Sequence, residues 1–448
     1  MRTPPTARTL CSSLAAAEPG STVTLEGWVH RRRELARVTF LVLRDRSGLA
    51  QVVLPAGTVV PPEETVVRVT GTATANAQAP GGVEVTEAVV DLLTEPAATP
   101  PVELWRPTLD ASLPTLLDHA PVLWRHPAQR ARWELAAASL RGFRTTLDGL
   151  GFTEVTTPKL VESATESGAN VFAIDYFGRP AYLAQSPQFY KQQLVGVFER
   201  VYEVGPVFRA EPHDTVRHLA EYRSLDVELG FVRDHRDVLA VLREVLAGMV
   251  AAVAACEDAV ARTGARLPVV PEEVPVIHFA DALALVGAPA DEPDLAPEHE
   301  RALGAWALAE HGSDFLAVEG YPMAKRPFYT HPWTGSGFEA RSARTSTTGG
   351  SARTSTTEHS NSFDLLFRGL ELVTGGQRLH TATAYDEALR ARGEEPADHA
   401  AYLQAFRHGM PPHGGFAIGL ERWVGRLVEA ANVREVTLFP RDLHRLSP

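Results

Sequence analysis

Apolar and polar residues alternate along residues 201–231, VYEVGPVFRAEPHDTVRHLAEYRSLDVELGF. Val204 and Val207 carry the pattern in the first half; Leu225, Val227, Leu229 and Phe231 carry it in the second. A period of two marks half-buried antiparallel strands, so two strands joined by a basic loop are predicted. The same period recurs over residues 20–95 in TVTLEGWVH, RVTFLVLRD, LAQVVL, TVVRVTGTA and GGVEVTEAVVDLL. Gly48 and the Gly81-Gly82 pair punctuate these runs as turns, which predicts a small five-stranded barrel.

Helical spacing appears next. Residues 131–151 place Trp133, Leu140, Phe143, Leu147 and Leu150 on one face, with Gly151 as C-cap. Ser186-Pro187 opens a helix over QFYKQQLVGV, with Gln188 and Lys191 on one side. Residues 237–264 predict one long helix through Leu239, Leu242, Leu246, Met249 and Val253. FTEVTTPKL predicts a strand ending at Pro158, and residues 362–380 a strand-turn-strand. Residues 414–442 begin as a Gly-rich strand entering a helix with Arg422 at its start. Residues 96–125 are rich in proline and lack a period, which predicts a hinge between the barrel (1–95) and a larger domain (126–448). Segment 266–312 yields no chemistry. SARTSTTGG (342–350) is nearly repeated as SARTSTTEH (351–359); with few apolar groups to bury, 335–361 is expected to be a disordered insert.

Composition narrows the class. A chain of 448 residues with 44% hydrophobic and 22% charged residues is ordinary for a globular protein of two or three domains. Its net charge of −12 argues against a protein that coats nucleic acid nonspecifically, so a polyanionic partner must meet local basic patches. Cys11 and Cys256 form neither a disulfide framework nor metal-ligand spacing, and a reducing cytoplasm is expected. The LAAA run near the start is short and broken by Ser12 and Ser13, so no signal peptide is expected. Stretch 238–256 carries Arg243 and Glu244 and is not expected to span a membrane.

Candidate chemistry clusters in the loop of 201–231, where Arg209, Glu211, Arg217 and His218 exceed what a strand needs for packing. A planar arginine fork at a strand end can hold a phosphate in two places. An arginine at a helix start, Arg422, suits a bound phosphate better than the helix dipole. Asp364 and Glu371 are hard oxygen donors; the structural alternative is an ion pair with Arg368. In the barrel, Phe40, Gln51 and Glu84 combine an aromatic, an amide and a carboxylate, which suits stacking and edge reading of an unstacked base. The alternative for Phe40 is core packing, and for the run HRRRELAR (30–37) a solvated loop.

The FRAE…RHL…E spelling of the loop resembles motif 2 of the class II aminoacyl-tRNA synthetases, and most closely their aspartyl, asparaginyl and lysyl subgroup. The helix and strand around Pro158 resemble motif 1, and GGFAIGLER resembles motif 3. Lys191 in QSPQFYKQ and Arg378 in GGQRLH match the aspartyl-tRNA synthetase pattern, in which they grip the side-chain carboxylate. FPRDLHRLSP resembles the shorter archaeal and eukaryotic type, and only residues 232–363 separate the motif 2 stretch from Asp364, so no large bacterial insert is expected.

The resemblance implies an α+β protein: an OB-type barrel for the anticodon, then an antiparallel sheet flanked by helices, forming a homodimer. It implies a ligase that joins L-aspartate to tRNA(Asp) at the expense of ATP, and leaves open whether tRNA(Asn) is charged too. Arg209 would hold the α-phosphate, Glu211 the adenine amino group and Tyr222 the ring, with Arg217, His218 and Arg422 at the β/γ end. Asp364, Glu371 and Thr374 would hold Mg²⁺. Glu166, Gln188 and Asp226 would receive the α-ammonium of aspartate, beside Lys191 and Arg378. Two rivals share the catalytic fold: an aspartate-adenylating asparagine synthetase and a non-catalytic RNA-binding paralogue.

Overall fold

The computed structural model describes residues 8–162, 170–212, 214–333 and 358–448. The chain forms two compact units, 1–128 and 129–448.

In the first unit, strands β1 (Thr22–Glu34), β2 (Val38–Arg44), β3 (Leu49–Pro55), β4 (Val66–Ala75) and β5 (Val83–Leu92) close a barrel in the order β1-β2-β3-β5-β4. Alternation sets the inside: Leu41, Leu43, Ala50, Val52, Leu54 and Val85 are buried, while Phe40, Gln51 and Glu84 fall on the opposite phase. The basic run is mostly strand, with only residues 35–37 in the connection to β2. Arg31, Arg32 and Arg33 lie in β1, with Arg33 opposite Phe40, because β1 continues past its pairing with β4 and stays paired with β2. Residues 96–125, expected as a hinge, carry helices α1 (Leu113–Asp118) and α2 (Ala120–Leu123). Leu116, Leu117, Leu123 and Trp124 are buried there, and Arg125 pairs with Glu64 at 3.0 Å. Pro114 and Pro121 sit at first turns, where a missing N–H costs nothing.

The second unit is built on eight strands: β6 (Thr153–Glu154), β10 (Arg200–Phe208), β11 (Glu221–Gly230), β12 (Val276–His278), β13 (Phe315–Glu319), β14 (Ser362–Phe367), β15 (Glu371–Gln377) and β16 (His413–Gly419). Their order is β12-β13-β14-β15-β16-β11-β10-β6, antiparallel except for the outer pairs β12/β13 and β10/β6. A small sheet of β7 (Leu160–Val161), β8 (Ala173–Tyr176) and β9 (Arg179–Leu183) stands beside it. Helices α3 (Pro127–Gly149) and α5 (His235–Ala254) pack on one face with Leu225, Val227 and Leu229 of β11. Each such side chain, taken fully out of water, contributes about 1.5–3 kcal/mol. Helix α4 (Gln188–Phe198) contacts β10 and β11.

Several expectations change. The strand FTEVTTPKL shrinks to β6 and β7 on either side of Pro158. The single helix 237–264 is α5 followed by α6 (Glu257–Thr263), bent by 87° at the break. No single helix among the described residues is long and apolar enough to cross a membrane. Phe231 leaves the alternation: β11 ends at Gly230, and Phe231 turns to φ 60° with its ring 70% exposed. The expected insert 335–361 lies outside the described residues up to 357. Its last residues belong to the fold, with Ser360 and Asn361 buried and His359 bridged to Pro322.

Candidate active site

β11 is buried on both faces, and its alternation separates a core from a site. Leu225, Val227 and Leu229 face the helices; Ser224, Asp226 and Glu228 occupy the other phase. Lys191 reaches from α4 to this second face and is 2% exposed. Its Nζ lies 3.0 Å from Asp226 Oδ1 and 3.4 Å from Glu228 Oε2. Arg378, just after β15, donates through Nε to Glu228 Oε1 at 3.1 Å and through Nη2 to the Gly415 carbonyl at 3.0 Å. Ser224 donates to Asp226 Oδ2 at 2.5 Å. Four charges therefore sit together in a buried cluster, two of each sign.

Burial opposes the Glu228 carboxylate, yet the Arg378 and Lys191 charges hold its pKa below the ordinary value. Burial likewise opposes the Arg378 cation, and Glu228 outweighs it, raising its pKa. Gly415 makes this arrangement sterically available. It stands opposite Glu228 in register, and a Cβ there would come within 2.1 Å of the carboxylate. Gln188 opens α4 and is buried, its N–H bonded to Ser186 Oγ. Glu166 lies outside the described residues. Glu228 itself was missed; its signal was its place two residues beyond Asp226, on the polar phase of the strand.

Beside this cluster opens a cleft of about 410 Å³ whose lining includes Arg209, Glu211, Arg217, His218, Tyr222, Glu371, Thr374 and Arg422. All the residues expected around the nucleotide are therefore brought together. The Arg209 guanidinium lies 6.0 Å from the centre of the Tyr222 ring. Thr215 and His218 form a 2.6 Å hydrogen bond within the loop. The loop is fastened from the C-terminal side: Val433 N–H donates to the Val216 carbonyl and Ala220 N–H to the Arg441 carbonyl. Leu443 and Val433 line the cleft too, an involvement no motif predicted. Glu421, also on the lining, accepts the Arg223 N–H at 3.0 Å, and burial pushes its pKa up to about 7.

Asp364 and Thr374 stand opposite each other across β14 and β15, and Thr374 donates to Glu371 at 3.1 Å. The alternative reading, an Asp364–Arg368 ion pair, is not what forms. Arg326 takes Asp364 Oδ2 at 2.9 Å, while Arg368 is turned to Asp314 at 3.0 Å. Asp364 Oδ1 has no hydrogen-bond partner among the described residues. Burial raises the Asp364 pKa and the neighbouring Glu371 charge adds to it, against Arg326. Two hard carboxylates, one of them with a buried oxygen left over beside its Arg326 pair, and a hydroxyl are the donor types that a small divalent cation takes.

On the barrel, Gln51 and Glu84 are neighbours in register between β3 and β5, and Gln51 Nε2 donates to Glu84 at 2.8 Å. Asn76 donates to the same oxygen at 2.8 Å, a partner not foreseen. The Phe40 ring is half-buried, with the Arg33 guanidinium 5.3 Å from its centre.

The family described as tRNA synthetases class II (D, K and N) matches residues 113–443, and the OB-fold nucleic acid binding domain matches 23–90. The aspartate–tRNA(Asp/Asn) ligase of Thermus thermophilus is 45% identical over 96% of this chain and 98% of its own length. The Methanopyrus kandleri protein of the same name is 39% identical over 96% of each. Among solved structures, asparaginyl-tRNA synthetase of Pyrococcus horikoshii with asparaginyl-adenylate superposes with a TM-score of 0.84 at 28% identity, covering 98% of this chain and 99% of that one. Aspartyl-tRNA synthetase of Entamoeba histolytica gives 0.82 at 25% identity, over 98% and 93%.

Proposed function

The chain belongs to the class II tRNA synthetases and, within them, to the aspartate–tRNA ligases, and from that membership we propose how its residues divide the work. The enzyme forms aspartyl-tRNA in two steps. The α-carboxylate of aspartate attacks the α-phosphorus of ATP and pyrophosphate leaves; a terminal ribose hydroxyl of tRNA then attacks the adenylate carbonyl and AMP leaves. The first nucleophile is already ionised, so catalysis is positioning and charge neutralisation. Arg209 neutralises the α-phosphate, Glu211 receives the adenine amino group, and Tyr222 stacks on the ring. Arg217, His218 and Arg422 hold the β/γ end. Asp364, Glu371 and Thr374 would hold Mg²⁺, which when bound supplies further charge neutralisation at the phosphates.

Lys191 and Arg378 grip the side-chain carboxylate of aspartate, while Asp226, with Gln188 and Glu166, receives its ammonium. The single observation that carries this substrate is the pair of buried cations converging on Glu228. Asparagine in the same place would offer no charge to either. The barrel counts against the asparagine synthetase reading, and the intact charged cleft against the non-catalytic one. Phe40, Gln51 and Glu84 read the anticodon. We extend the reading to tRNA(Asn), since the Thermus thermophilus relative is an aspartate–tRNA(Asp/Asn) ligase, and to a cytoplasmic homodimer with an isologous interface. Charging assays with both purified tRNAs test it. Aspartate should load onto both, and loading of neither removes the reading.

A further inference from the structure

Segment 266–312, from which no chemistry could be read, contains helices α7 (Phe279–Val286) and α8 (Pro297–His311), and α8 carries Glu300, a 7% exposed carboxylate outside the cleft lining. Glu300 Oε2 accepts from Arg217 Nη1 at 3.3 Å and from the Glu371 backbone N–H at 3.2 Å. The carbonyl of that same Glu371 accepts from Arg422 Nη1 at 3.0 Å. The two arginines expected at the triphosphate end, one from each motif, are thus tied to opposite sides of one residue's backbone. The tie is rigid because α8 meets the β14–β15 turn backbone to backbone. A Cβ on Gly304 would lie 2.4 Å from the Gly369 N, and Gly369 is itself at φ 68°. Glu300 sits one turn before that contact, so its carboxylate is delivered to Glu371 without a flexible arm.

We propose that Glu300 is a positioning residue for adenylate formation, acting through Arg217: it holds the guanidinium at the cleft rim in the orientation that receives the outer phosphates. This rests on the assignment of Arg217 to the β/γ end. Burial raises the Glu300 pKa and the Glu371 charge adds to it, while the Glu371 N–H and the Arg217 and Arg422 charges act against the rise. A solvated arginine on a loop would otherwise spend its rotamer freedom on binding; one already anchored loses less.

Aspartate-dependent ATP–pyrophosphate exchange tests this with Glu300→Gln, which keeps an acceptor for the Glu371 amide but drops the charge. The expected result is a KM for ATP raised about tenfold with the KM for aspartate within about twofold of the parent. Glu300→Asp, which keeps the charge, should raise it less. Combined with Arg217→Ala, Glu300→Gln should add less than about twofold to the loss from Arg217→Ala alone. An unchanged KM for ATP in Glu300→Gln, or effects that multiply in full in the double variant, overturns the proposal. An Arg217→Ala variant with unaltered KM for ATP instead overturns the assignment of Arg217, and the proposal with it. Circular dichroism melts confirm that compared samples are folded.

Discussion

The Lys191 ammonium and the Arg378 guanidinium, far apart in sequence, share the carboxylate of Glu228, at 3.4 and 3.1 Å. All three side chains are at least nine-tenths buried. Two cations left so close together away from water would repel strongly, so the shared anion is what lets them coexist.

Substrate choice should therefore fail when one cation is removed. Lys191→Met keeps the bulk of the side chain and deletes its charge. Aspartate-dependent pyrophosphate exchange is expected to fall by on the order of 10³, because a site built for a charged partner loses it outright. Binding of ATP, measured by calorimetry, should stay within about twofold. Unaltered aspartate kinetics would remove the substrate assignment.

Glu228 should matter for folding as well as binding. Glu228→Ala leaves two buried cations with less compensation and should destabilise the catalytic unit by about 3 kcal/mol. Urea unfolding followed by tryptophan fluorescence reads this as a lower midpoint. A midpoint equal to the parent's would mean that the cations do not depend on this carboxylate.

The barrel makes a separable contribution. Phe40→Ala should weaken tRNA binding by about 1–3 kcal/mol, the usual worth of one base stacked on an aromatic ring. Pyrophosphate exchange, which needs no tRNA, should not change. Loss of exchange together with charging would instead mark Phe40 as part of the barrel's packing.

Acid should reveal a different carboxylate. Burial works against the Glu319 charge, but hydrogen bonds from His235 and Arg236 override it and bring its pKa from 4.5 to about 2. A depressed carboxylate binds its proton more weakly in the folded state than in the unfolded chain. Its contribution, about 3 kcal/mol at most, is therefore present above pH about 4.5 and lost as pH falls towards about 2. In Glu319→Gln, stability should be lower than the parent's near neutrality, with the gap closing through that window. A gap that stays constant from pH 5 to 2.5 contradicts the assignment.

Much of this was legible in residue order because it is local. The period of two along β11, the strand-turn-strand around Asp364 and the glycine-rich entry to Arg422 all depend on neighbours in sequence. What failed was also local reasoning, applied where distance decides. Proximity along the chain does not choose partners either: Arg368, four residues from Asp364 and its alternative partner, turns to Asp314, and Arg326 takes Asp364. The break between α5 and α6 carries no proline or glycine at Ala255 or Cys256, so the spacing alone ran through it.

By itself the sequence determined which residue types were available and on which phase of each strand they fall: Asp226 and Glu228 on one side of β11, Leu225 and Val227 on the other. Only the tertiary structure decided which charges meet. Pairing is set by the register of β11 against β16 and by the approach of α4 and α8, and those depend on packing between segments far apart along the chain. A carboxylate such as Glu300 acquires its meaning from the backbone that happens to touch it, and no pattern along its own helix records that contact.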